Sequence, residues 1–380
     1  MLQEDEIISM GYDLSSHIYK ASDEIMAEMV NAYKALEDVK PEDITKLLEM
    51  GYKDFEVERI LSDALSLTME DYRKMLETIG EAEYNQYAYI FNQAGVSFEK
   101  YKDNPVVRQM INSIFQQTEG SMNNFTQTTG FISGIDGHFS PITDYWQEKM
   151  NQATIQIMGG TFDYTTSLRK MIVEMKNSGI RIVDYESGWH NRIEVATRRA
   201  VMTGINQLLE DITNHNAERL GTDLFEVSAH NGARPTHAVW QGQVYTKKEL
   251  ETVCGLGTGA GLKGWNCYHS YQPFIKGLSK RAYTDEQLKK WRYPEKTSYN
   301  GKEYTEYEAR QEMRKMETKM RAQRLKIYLE KQAGFSNDYM KTDRIKYRQQ
   351  LAQYKAFAKF FGLHLQLERV SGLDGLGRLA

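Results

Sequence analysis

Five side chains between Ser228 and Phe274 could bind a metal or supply a nucleophile: His230, His237, Cys254, Cys267 and His269. The stretch holds both cysteines of the chain, three of its eight histidines and its densest run of glycines. Thiolate and imidazole are the usual zinc ligands, and four of them make a closed structural site. A glycine-rich, irregular segment has little hydrogen-bonded structure of its own, so a metal could hold it together. If a metal is bound, the expected site is a closed structural zinc on Cys254, Cys267 and His269, completed by His237 or His230. The spacing is not that of a standard finger. Cys267-x-His269 is too tight for a knuckle, and Cys254 lies thirteen positions upstream of Cys267. The alternative is that both cysteines are small buried hydrophobes and the histidines bond to backbone.

Other chemistry finds little support. No GxxxxGK[ST] phosphate loop and no HExxH are present, and the glycines at 255, 257, 259, 261 and 264 lack the following Lys-Ser or Lys-Thr pair. The HxE and PCxxC pair of zinc deaminases is missing too. Cys267 with His237 or His269 could mimic a thiol-imidazole pair, but no third, orienting group can be assigned. No catalytic residue is therefore expected.

The elements that would position these residues are short. Leu224-Phe225-Glu226-Val227 reads as a strand, and Asn231-Gly232 and Arg234-Pro235 as turns. Ala238-Val239-Trp240 and Gln243-Val244-Tyr245 read as a hairpin about Gln241-Gly242, although Gln suits a primed turn less well than Asn. The hairpin should bury Trp240, Val239 and Tyr245 against a helix over 193–219. Thr246 and Glu249 have the spacing of a capping box. Arg234 carries a planar set of donors that can bridge carbonyls or a carboxylate, with Asp223 and Glu226 as candidate partners. This makes Arg234 and His237 scaffold residues.

The same residues carry a resemblance. AHNGARPTHAVWQG, then CG, then NCYHSYQPFIKG resembles the signature of the tailed-phage minor capsid protein 2 family. More distantly it is similar to the F-like head morphogenesis proteins of Mu-type phages. A weaker likeness, GGTFDYTTSLRKMI through VDYESGWHNRIEVATRRAV, extends it back to about Gly159. The matched motif residues are His230, Arg234, His237, Trp240, Gly242, Asn266, Cys267 and His269. The resemblance implies a minor structural protein of the phage head, found in the virion and in host cytoplasm during assembly. Its implied partners are the portal protein, the major capsid protein or both, with packaged DNA and self-association as further contacts. It implies no known reaction.

Around the motif the chain reads as mainly α. At 380 residues with only six prolines, long helices are favoured over loop-rich β structure. Mean hydropathy of −0.62 leaves much of the surface wet. No apolar run is long enough to span a bilayer, so no membrane partner is expected. The start, MLQEDEII, lacks the basic and apolar regions of a signal peptide, and two cysteines in so long a chain suit a reducing compartment. An elongated helical N-terminal region is expected over 1–117 and a linker or extended loop over 118–140. The signature domain, a small mixed α/β module with a β-hairpin, falls within 141–277. A basic helical region over 278–370 and a flexible tail over 371–380 complete the chain. Helices are expected over 301–331 and 336–361, and the alternation LHLQLERV predicts a strand over 363–370.

Charge is uneven. Residues 276–370 hold 23 Lys and Arg against 12 Asp and Glu, or +11. The last ten residues cancel, so subtracting +11 from the whole chain's −4 leaves −15 on residues 1–275. Such asymmetry points to an anionic partner for the basic part. That partner is the chain's own acidic part or a neighbouring copy, an acidic portal surface or, in the alternative, DNA bound by an internal or ejected head protein. The expected function is structural; a zinc-dependent or cysteine-based enzyme is the remaining alternative.

Overall fold

A computed structural model describes residues 4–51, 53, 55–122, 125–126, 128–133, 137–183, 189–264 and 267–371. The fold is mainly α, with three small antiparallel sheets among the described residues. The N-terminal helices are α1 (Glu4–Lys34), α2 (Ile44–Gly51), α3 (Val57–Asn85), α4 (Ala88–Gln93) and α5 (Pro105–Met122). Strands β1 (Thr129–Ser133) and β2 (His138–Pro141) follow, then α6 (Ile142–Met158), α7 (Tyr164–Ser178), β3 (Arg181–Val183) and β4 (His190–Arg192). Helix α8 (Ile193–Arg219) leads to β5 (Leu224–Val227), α9 (Pro235–Ala238), β6 (Val244–Thr246), α10 (Lys247–Thr252) and β7 (Tyr271–Pro273). The chain continues through α11 (Asp285–Arg292), β8 (Thr297–Tyr299), β9 (Lys302–Tyr304), α12 (Glu306–Gln332), α13 (Asn337–Phe361) and α14 (Glu368–Ser371).

Helix boundaries follow local chemistry. Asn104 caps α5, its side-chain oxygen accepting the Val106 amide at 3.0 Å. Asp163 accepts the Thr166 amide at the start of α7, and Ser336 accepts the Tyr339 amide at the start of α13. Helix α13 stops at Gly362.

The chain divides into two compact units, neither of them consecutive in sequence. One comprises Met1–Ser9, Tyr72–Thr118 and Val201–Arg314; the other comprises Met10–Asp71, Glu119–Ala200 and Lys315–Ala380. The second unit holds a large apolar core from α1, α2, α3, α6, α7 and α12, including Ile18, Ile25, Leu61, Met150, Leu168 and Leu329. Trp146 is buried within it. Its indole donates to the Met50 carbonyl at 2.7 Å, and its ring meets Phe55 edge-on at 4.9 Å. A sheet of order β2-β1-β3-β4 packs in this unit.

Several expectations need correction. The expected linker over 118–140 instead continues α5 to Met122 and then forms β1 and β2. Phe131 supplies the reason, being fully buried with its ring 4.7 Å from that of Tyr145, which anchors a segment whose composition alone reads as loop. The helix expected from Gly301 begins at Glu306, after a β8-β9 hairpin. Asn300 and Gly301 form its turn with φ of 51° and 80°, the positive values a primed turn requires. Thr305 then caps α12 reciprocally with Glu308. Residues 363–370 are not a strand. The chain turns into α14, held by Tyr347, whose hydroxyl donates to the Val370 carbonyl at 2.9 Å, and by a buried ion pair from Arg369 to Glu317 at 3.0 Å. The tail over 372–380 lies outside the described residues.

Candidate functional site

The site is built in the first unit on the sheet of order β6-β5-β7. Strand β5 is central, with Glu226 opposite Val244 on one side and Gln272 on the other. Its buried face, Phe225 and Val227, joins Ala217, Trp240, Leu250, Leu262 and Tyr271 in one apolar core that also contains Cys254 and Cys267. Phe225 and Tyr271 meet at a right angle with ring centres 5.3 Å apart.

After β5 the chain turns and Pro235 opens α9, placing His237 within it. The hairpin expected over 238–245 is therefore corrected: Ala238 ends a helix, and β6 pairs with β5 instead. Pro235 explains this, because its fixed φ and missing N–H suit the first position of a helix. Trp240 is buried as expected, but Val239 is 51% exposed. Gly242 turns the chain back with φ of 70° and donates its amide to the Val227 carbonyl. Helix α10 carries the full capping box of Thr246 and Glu249.

Cys254 follows α10, and its carbonyl accepts the Leu262 amide at 2.8 Å across the glycine loop. That loop brings the Ala260 carbonyl to 2.9 Å from His237 Nε2. The chain then delivers Cys267 and His269 just before β7. Their side chains lie close, Sγ to Nδ1 3.6 Å. His269 Nε2 lies 3.0 Å from Gln241 Oε1, which also accepts the His230 amide at 3.1 Å. The rings of His237, Trp240 and His269 pack together, with centres 4.7 to 5.4 Å apart.

Of the residues expected to hold a metal, His237, Cys267 and His269 converge, with one ligand atom from each lying within 4.8 Å of the others. All three are buried. Cys254 is buried in the same core but is not part of that group. The His230 ring lies tilted against that of His269, centres 4.6 Å apart, while its Nδ1 lies 2.9 Å from the Asn231 carbonyl. Asn266 lies outside the described residues. Arg234 is the N-cap of α9. The carboxylates expected beside it have other work: Asp223 accepts the Lys247 amide and Glu226 the Ala282 amide.

Burial sets the electrostatics. It drives the pKa of His269 down to about 2, reinforced by His230 and His237. It lowers His237 as well, against the Ala260 carbonyl, which favours the charged ring. The Cys267 thiol is pushed up by burial, opposed by the backbone N–H groups of His269 and Lys263. Cys254 is pushed up to about 12. Burial thus favours the neutral form of both imidazoles and both thiols.

Gln241 and Ala260 were not among the expected site residues. The signal for Gln241 was its poor fit to the turn in which sequence placed it. For Ala260, whose contribution is a backbone carbonyl, there was none.

A family model described as phage minor capsid protein 2 matches residues 5–359. The chain is also similar to a protein described as "Structural protein" from Lactococcus phage LL-H. The two are 22% identical over 193 residues, covering 47% of this chain and 52% of that protein. The chain thus spans about half the length of this curated relative. No solved structure matches.

Proposed function

Because the chain belongs to the phage minor capsid protein 2 family, we propose that it is a minor structural protein of a tailed-phage head, docking on the portal or the inner capsid during assembly. The extent of the family match carries this reading. It takes in the His/Cys cluster, the helices before it and the basic helices after it. The cluster's burial supports the same reading, because covered side chains in an apolar core hold segments together rather than meet a substrate. Among the described residues, no helix is long and apolar enough to cross a membrane.

The pairing of the basic stretch favours a protein surface over DNA as its partner. In the second unit Arg324 pairs with Asp23 at 3.0 Å, Arg369 with Glu317 at 3.0 Å and Lys326 with Asp343 at 2.6 Å. In the first unit Arg310 pairs with Glu306 at 3.0 Å and Arg281 with Asp285 at 2.8 Å. A phosphate-binding face gathers unneutralised cations on one side, whereas here acids interleave with them.

Binding of the full-length protein to purified portal protein, major capsid protein and random-sequence DNA across a salt series tests this. The reading expects saturable association with portal or capsid protein and weak DNA binding. Tight DNA binding with a steep negative salt slope, without association with either head protein, would replace it with the internal DNA-binding alternative.

A further inference from the structure

We infer that His237, Cys267 and His269 form a binding site for one zinc ion, with Cys254 outside its ligand set. The inference stands apart from the capsid reading and rests on geometry alone. In a tetrahedral zinc site, Zn–S of about 2.3 Å and Zn–N of about 2.0–2.1 Å place sulfur and nitrogen ligand atoms roughly 3.6 Å apart. Cys267 Sγ and His269 Nδ1 are 3.6 Å apart. The third ligand, His237, comes from a different segment and brings its own ligand atom within 4.8 Å of the other two.

The hydrogen bonds around the two rings fix which nitrogen of each carries a lone pair. Gln241 Oε1 accepts the backbone N–H of His230, which fixes that atom as the carbonyl oxygen. The Gln241 oxygen 3.0 Å from His269 Nε2 can only accept, so the ring proton sits on Nε2. The lone pair is then on Nδ1, the nitrogen that faces Cys267. His237 follows the same rule: the Ala260 carbonyl takes its Nε2–H at 2.9 Å, leaving Nδ1 as the lone-pair nitrogen. Metal-ligating histidines characteristically donate their second N–H to a carbonyl or carboxylate, which fixes ring orientation and tautomer.

One thiolate and two imidazoles suit zinc rather than calcium or magnesium, which take oxygen ligands. The ion would tie α9 to the segment entering β7. All three ligands are buried. Three protein ligands leave a fourth position for water or another small ligand. Cys254 is buried nearby but is not part of this group.

The test uses full-length protein expressed with added zinc and dialysed without chelator. Elemental analysis should find about one zinc per chain. Replacement by cobalt should give the visible bands of a tetrahedral ion and a thiolate-to-cobalt charge-transfer band. Cys267→Ser should abolish that band and lower metal content at least about tenfold, whereas Cys254→Ser should keep both. The wild-type cobalt spectrum needs no variant, so a misfolded Cys267→Ser protein leaves the test intact. Wild-type protein with well under about a tenth of an equivalent of zinc and no cobalt–thiolate band would overturn the site. Loss of metal on Cys254→Ser equal to that on Cys267→Ser, in a protein that still folds, would overturn the ligand set.

Discussion

Gln241 Oε1 lies 3.0 Å from His269 Nε2, and both residues are 2% exposed. This contact joins the turn after α9 to the segment entering β7, and the same oxygen holds the His230 amide. Gln241→Leu keeps the apolar volume but leaves the buried His269 donor and the half-buried His230 amide without an acceptor, at roughly 1–3 kcal/mol for the buried group. Thermal unfolding of the variant should shift down accordingly, with far-UV circular dichroism unchanged. Wild-type stability would show that the contact contributes nothing.

Trp240 and Val239 are adjacent in sequence and opposite in environment. Trp240 lies in the core with Phe225, Leu250 and Tyr271, while Val239 is 51% exposed. Trp240→Ala should cost about 3–5 kcal/mol, and Val239→Ala should stay within about 0.5 kcal/mol of wild type. Denaturant titration of the two variants side by side checks this. Equal losses would indicate that the hairpin packing expected from sequence is the true one.

Gly242 combines two constraints. Its φ is 70°, and an added Cβ would stand 2.4 Å from Leu288 Cδ2. Gly242→Ala should destabilise by about 1–3 kcal/mol from backbone strain, with a steric part on top. Gly242→Asn tolerates the backbone but still meets Leu288, so it should not rescue. In a Leu288→Ala background the cost of Gly242→Ala should shrink, because only the steric part is relieved. A double-mutant cycle without coupling would remove the Leu288 clash from the explanation.

Asp343 supplies a pH dependence. Burial disfavours its charged form, but hydrogen bonds from Lys326 and Gln323 outweigh that, and its pKa lies below the ordinary 3.8. A carboxyl whose folded pKa is depressed adds stability above its unfolded pKa and loses it as pH falls through the folded one. This contribution should therefore be whole at pH 7, fade as pH drops through about 4, and vanish below the folded value. Asp343→Asn should be less stable than wild type at neutral pH, and the gap should close on acidification. A gap that stays constant between pH 7 and pH 3 would contradict the assignment.

What could be read from sequence was local. The cap at Asn104 and the Thr246–Glu249 box fix helix starts within a few residues. The Asn300-Gly301 turn was equally local, yet helical spacing further on in the segment obscured it. Non-local pairings were not readable. β1 pairs with β3 some fifty residues on, and three-residue strands carry too little alternation to register. The pattern over 363–370 was overridden by tertiary contacts of Val370 and Arg369. At the site, composition pointed to His237, Cys267 and His269 because both cysteines fall among histidines. It could not show that Cys254 stands outside the group, nor that a glutamine and a backbone carbonyl orient the rings.

The central claim is that this chain is built into phage heads as a minor component. Quantitative mass spectrometry of gradient-purified, DNA-free proheads and of mature virions measures this directly, with particles from a mutant lacking the gene as control. The account predicts the protein in both particles at a small, fixed ratio to the major capsid protein, and absent from the control. Its absence from both, in lysates where the protein is made and soluble, would contradict the account.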